Sequence, residues 1–149
     1  MLRIISCFSL LICISVAFSQ HGYNPPNAVQ ESFHKDYPKS ESVQWGKNGK
    51  DYTVKFNDRD YDNGESVAYY RANGGHIETH TQYDNHDVPK PVMDHMQKYY
   101  TGSENYNVVH IDRHSGPDLY EVRYTHKKSK HKIYVDEYGK EHAHHDYHY

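Results

Sequence analysis

The chain has 149 residues, with 17 Lys and Arg against 20 Asp and Glu and a formal net charge of −3, which suits one domain or two small halves sharing a core. The acidic balance argues against a general nucleic-acid binder, because such a protein needs a basic surface to neutralise phosphates. Phe, Ile, Leu and Val are scarce enough to suggest disorder, but 16 Tyr and the small net charge restore the buriable surface a folded domain needs.

Residues 1–19 read as a signal peptide. Arg3 supplies the basic start, and the apolar run from Ile4 to Phe18, about 15 residues, is short of the about 20 that a bilayer span requires. Ala17-Phe18-Ser19 puts small residues at the −3 and −1 positions of a cleavage site before Gln20. A periplasmic or secreted protein is expected, with no membrane span after removal of the leader. Cys7 and Cys13 both lie in that leader, so the mature chain has no disulfide, no thiol nucleophile and no thiolate metal site.

Beyond the leader, Asn24-Pro25-Pro26 suits a helix start, and Val29, Phe33 and Tyr37 recur at spacing four as one apolar stripe. Pro38 ends that helix. Val43 and Trp45, then Tyr52, Val54 and Phe56, alternate as strands around the turn Gly46-Lys47-Asn48-Gly49. A third strand is expected over Glu65 to Arg71 and a fourth over His76 to Gln82, joined by Asn73-Gly74-Gly75. The order then recurs. Pro91 opens a helix whose Val92, Met96 and Tyr100 each stand 63 positions after Val29, Phe33 and Tyr37. A strand near Tyr106 to Ile111 follows, then Tyr120, Val122 and Tyr124, which echo Tyr52, Val54 and Phe56, and Tyr134, Val135 and Gly139, which echo Tyr69, Tyr70 and Gly74.

The expected fold class is α+β: two tandem helix-plus-four-stranded-antiparallel-sheet units forming an open concave sheet, the first at 20–84 and the second, with a His-rich C-terminal strand, at 85–149. One face of each sheet is covered by a helix and the other left open. Alternation directs Tyr52, Val54 and Phe56, and Tyr120, Val122 and Tyr124, toward the helices. Lys55, Leu119, Glu121 and Arg123 then point away.

The run Phe33-x3-Tyr37-Pro38, Val43-x-Trp45, Tyr52-x-Val54-x-Phe56 and Ala68-x-Tyr70-x3-Gly74 resembles the PepSY-like family of exported bacterial proteins, which is similar in fold to the β-lactamase inhibitory protein. The resemblance spans about Pro26 to Gly139. It implies a non-enzymatic binding or inhibitory module whose sheets form a concave surface.

Catalytic patterns are poor. Gly64-Glu65-Ser66-Val67-Ala68 approaches a nucleophile elbow, but it enters a strand where the elbow must turn into a helix. Asp58-Arg59-Asp60-Tyr61-Asp62-Asn63-Gly64 alternates acids as a calcium loop would, yet glycine falls one place late and Tyr69 stands where a bidentate Glu belongs. The matching loop of the second half, Lys127-Lys128-Ser129-Lys130-His131-Lys132, has the opposite sign and suits an acidic partner.

Two sets of candidate residues remain. Tyr69 and Tyr134, beside Lys55, Glu121 and Arg123, should form a contact surface on the open face for an envelope or extracellular protein. The alternative is metal. His76 and His80, on one strand face with Glu78, and His142, His144, Asp146 and His148 in the tail could hold zinc, copper or nickel through nitrogen ligands, whereas the first reading needs no cofactor. The secreted product should have an intact mass beginning at Gln20 and give no free-thiol signal; a membrane-bound chain retaining residues 1–19 would overturn the export reading.

Overall fold

The computed structural model describes residues 23–58, 64–84 and 86–143, and the leader 1–19, the acidic loop at 59–63 and the tail residues His144, Asp146 and His148 fall outside them. Helix α1 (Asn27–Asp36) precedes strands β1 (Ser40–Asn48), β2 (Asp51–Asp58), β3 (Glu65–Tyr70) and β4 (His76–Tyr83). Helix α2 (Lys90–Tyr99) precedes β5 (Glu104–Arg113), β6 (Leu119–His126), β7 (Ser129–Asp136) and β8 (Glu141–His142). Among the described residues these eight strands form one antiparallel sheet in chain order. Pairing of β4 with β5, from Glu78 opposite Arg113 to Tyr83 opposite Val108, makes it continuous. The class is α+β: among the described residues, an open eight-stranded sheet with two helices.

Both helices start from a proline N-cap, Pro26 and Pro89, which costs nothing because the first-turn N–H groups lack intrahelical acceptors anyway. Their stripes pack on the sheet. Val29 and Phe33 lie with Val54, Phe56, Ala68 and Tyr70 in one fully buried cluster. Val92 and Met96 lie with Val108, Tyr120, Val122, Tyr124, Ile133 and Val135 in another. Phe33 is the hub of the first, its ring edge-on to Trp45 at 5.2 Å and to Phe56 at 5.0 Å. That geometry lets the positive ring edge meet the negative face. Where Trp45 stands opposite Val54, Val108 stands opposite Val122, so aliphatic packing replaces aromatic packing under α2.

The backbone repeats its irregularities along with its core. Each half has a bulge in its first strand, with a left-handed residue at Ser42 (φ 56°) and at Asn105 (φ 54°). The turns after β3 and β7 bring Gly74 and Gly139, both at φ +85°, against the start of the preceding helix. A Cβ on Gly74 would lie 2.5 Å from the Ala28 carbonyl oxygen, and one on Gly139 would lie 2.8 Å from that of Pro91. Only glycine permits both the angle and the approach.

Between the two helices, the helix side of β4 and β5 is polar. The Tyr37 hydroxyl shares a 2.6 Å hydrogen bond with Thr79 Oγ1, which also meets His76 Nε2 at 2.8 Å. Ser66 and Thr81 share a buried bond of 3.0 Å, which places Ser66 in a hydroxyl pair rather than beside a base. His110 Nε2 lies 3.1 Å from Asp118 Oδ2, its ring stacked on Tyr120.

One expected grouping is corrected. The β3–β4 register slips between Tyr69 and Tyr70, so Tyr69 opposes Glu78 while Tyr70 opposes His76. That irregularity breaks the period-two alternation. His76 turns to the helix side against the Tyr70 ring at 5.2 Å, away from Glu78 and His80. Burial pushes its imidazole below the ordinary value, against the opposing pull of Asp36 and Asp112.

Phe33→Ala should cost about 3–5 kcal/mol and Met96→Ala about 2–5 kcal/mol in chemical denaturation. Gly74→Ala and Gly139→Ala should each cost about 1–3 kcal/mol through overpacking against a helix backbone. Losses below about 0.5 kcal/mol, typical of surface sites, would contradict this packing.

Candidate functional site

The face of the sheet without helices is built by every second residue of eight strands. Thr53 and Lys55 of β2, Val67 and Tyr69 of β3, Glu78 and His80 of β4, and Val109, Ile111 and Arg113 of β5 lie on it. Leu119, Glu121 and Arg123 of β6, Lys132, Tyr134 and Asp136 of β7, and His142 of β8 continue it.

Tyr69 is half-buried on this face, its ring 5.1 Å from that of His80. His80 Nε2 in turn contacts the carboxylate of Glu78, which is buried. Lys55 is exposed and bridges to Glu65 at 2.6 Å, with both side chains about half open to solvent. An exposed pair of this kind contributes little to stability.

Glu121 and Tyr134 occupy the expected face but are not exposed there, which corrects the expectation of a solvent-facing ring. Tyr134 is 5% exposed and Glu121 also 5%. The Tyr134 hydroxyl donates to Glu121 Oε2 at 2.7 Å, and Lys132 Nζ reaches that oxygen at 3.2 Å while lying over the Tyr134 ring at 5.2 Å. Arg123 donates from Nε at 2.6 Å and from Nη2 at 2.5 Å to Oε1. Burial alone would raise the Glu121 pKa, but the three donors outweigh it and hold the carboxyl below its usual range. The cause of the burial is an apolar patch that alternation alone does not reveal: Val109, Ile111, Leu119 and Tyr134 cluster on the helix-free face. Its signal in the sequence is Val108-Val109 followed by Ile111, which makes β5 apolar on both sides.

Of the expected metal ligands, His142 lies beside Asp136, Nε2 to Oδ2 at 2.7 Å. Burial would raise the Asp136 pKa, but that contact and the backbone N–H groups of Lys140 and Tyr138 lower it overall. His76 and His80 lie on opposite sides of the sheet, so they do not share a site. Among the described residues a different group could hold an ion: Asp84, His86 and Asp87, in the exposed loop before α2, offer ligand atoms within 4.8 Å of one another.

The architecture has known counterparts. The chain is similar to a BLIP-like protein from Bacteroides fragilis NCTC 9343, with TM-score 0.72 and 22% identity over 86% of this chain and 95% of that one. A DUF2874 family protein from Bacteroides uniformis ATCC 8492 matches at TM-score 0.72 and 18% identity, covering 79% of this chain and 86% of that one. A protein from Bacteroides eggerthii DSM 20697, named as a candidate periplasmic protein, matches at TM-score 0.70 and 15% identity over 80% and 86%. The fold is BLIP-like. No protein-family model matches the chain, and no curated protein matches it. Among the described residues no helix is long and apolar enough to cross a membrane.

The depressed Glu121 pKa sets a pH dependence. Relative to the ordinary value of 4.5, stability from this carboxylate is present above that value and lost as pH falls through the lower folded value. Glu121→Gln should therefore flatten the acid limb of a stability–pH curve below about pH 4.5. Tyr134→Phe should cost about 1.5–3 kcal/mol at neutral pH, as removal of a bond to a charged group does. An unchanged acid limb would show that Glu121 is not held by these donors.

Proposed function

We propose that this chain is an exported, PepSY-like binding module of two tandem units, 20–84 and 85–149, which engages an envelope or extracellular protein through a concave, helix-free sheet face. It performs no catalysis and requires no cofactor. The observation that carries this reading is the state of that face. Tyr69 and Val67 are half-exposed between the Lys55–Glu65 and Glu78–His80 pairs, and exposed Arg123 and Lys132 are anchored on buried Glu121. Aromatic and aliphatic area rimmed by charges already held in place is the composition of an interface, because little side-chain entropy is left to lose on docking. The BLIP-like name of one structural neighbour and the periplasmic description of another support the same reading.

A second reading, binding of zinc, copper or nickel, is favoured by the grouping of Asp84, His86 and Asp87, a nitrogen and oxygen donor set those ions accept.

A photo-cross-linking residue at position 69 should capture an envelope protein, while the same residue at Glu31, exposed on α1, should not. Capture from position 31 alone would place the interface on the helices. Loss of capture on adding a chelator, restored by zinc, would give precedence to the metal reading.

A further inference from the structure

The β6–β7 hairpin is the most basic part of an otherwise acidic chain. Lys127, Lys128, Lys130 and Lys132 fall within six residues, and Arg123 stands across from Lys132. The acids beside them are few. Buried Glu121 takes up Arg123 and Lys132, and Glu104 on β5 stands opposite Thr125. Lys127, Lys128 and Lys130 are exposed.

Two observations point to a use for this charge. The turn places Lys127 at φ 48° and Lys128 at φ 67°, the left-handed conformation of a type I′ hairpin. Asn-Gly would adopt it at far lower cost, and non-glycine residues held there are commonly kept for a purpose other than stability. The outer edge of β7 adds the second. Among the described residues β8 pairs only with Tyr134 and Val135, so Ser129–Ile133 has a strand on one side alone, that of β6. An edge lined with lysine repels a second copy of itself but suits an acidic strand, whose carboxylates would alternate opposite Lys130 and Lys132.

We infer that this hairpin is the docking strand for an extended acidic segment of a protein partner, which adds to β7 by backbone pairing and sets its carboxylates against Lys130 and Lys132. The inference rests on the binding-module reading and gives the partner its chemistry. Backbone pairing favours a peptide over an anionic glycan or nucleic acid, which cannot continue a β-ladder. The lysines of the turn would steer the segment toward the edge, an effect that weakens with salt.

The test uses the full chain and a fluorescent peptide alternating Glu and Thr, with a control peptide of the same composition whose glutamates are consecutive. The alternating peptide should bind at least threefold more tightly than the control, and its binding should weaken as salt is raised. Lys127→Asn with Lys128→Gly should raise the melting temperature yet weaken binding threefold or more, and adding Lys130→Gln should weaken it further. Equal binding of the two peptides, or unchanged binding in the folded triple variant, would mean that the lysines only guard the edge, and the inference fails. Binding that appears only when the chain ends at Ala143 would assign the edge to the chain's own tail and also overturn it. The outcome at position 69 is read separately, so failure of the acidic peptide leaves the helix-free face to stand or fall by its own cross-links.

Discussion

Two ten-residue helices have to cover one side of an eight-stranded sheet, and they are too small for it. With strands about 4.8 Å apart the sheet is roughly 34 Å wide, whereas two helices of about 10 Å diameter shield roughly 20 Å. The shortfall falls at the β4–β5 junction. There the chain places hydroxyls and imidazoles instead of aliphatic side chains: Thr79 and Thr81 on β4, His110 on β5, and Tyr37 and His76 closing a network over them. Thr79 and Thr81 are buried there, and their burial is tolerated because each hydroxyl has a hydrogen-bond partner.

Tyrosine is the residue that makes this economy workable. A ring buried under a helix can still extend a hydroxyl to the margin, so one side chain serves both core and seam. Tyr70 is fully buried and donates to Asp36 at 3.0 Å; burial, reinforced by that carboxylate, pushes its pKa far above the ordinary value. Tyr100 donates to Glu141 at 2.7 Å, tying α2 to the last strand. Burial, with Tyr83 and Asp118 nearby, raises Tyr120 to about 12. None of these hydroxyls ionises near neutral pH, so they act as fixed donors. Tyr134 uses the same device on the opposite face, where its partner is the buried carboxylate of Glu121.

The helix-free face is accordingly two surfaces in one. In the first half it is half-open, with Tyr69 and Val67 between charged pairs. In the second half it has a small apolar cluster of its own and a buried carboxylate held by three donors. Removing any one donor would leave that buried charge less satisfied. A partner meeting this face would find its charges already positioned, with Arg123 and Lys132 projecting past the carboxylate that anchors them.

Much of this was legible in the residues alone, and for a local reason. Period-two alternation in Tyr52, Val54 and Phe56, spacing four in Val29 and Phe33, and the punctuation of Pro26, Gly74 and Gly139 each depend on neighbours a few residues away. They locate both helices and the strands that follow each of them, and the side of the sheet on which Tyr69, Lys55 and Arg123 lie. What only the tertiary structure decided depends on how one strand meets the next. The register slip beside Tyr70 turns His76 to the helix side, and one irregular residue of this kind leaves no mark in composition. Burial of Glu121 and Tyr134 depends on Val109 and Ile111 arriving from a separate strand. The β4–β5 pairing joins the halves across the whole of α2, and strands so widely separated declare their pairing only when the chain has folded.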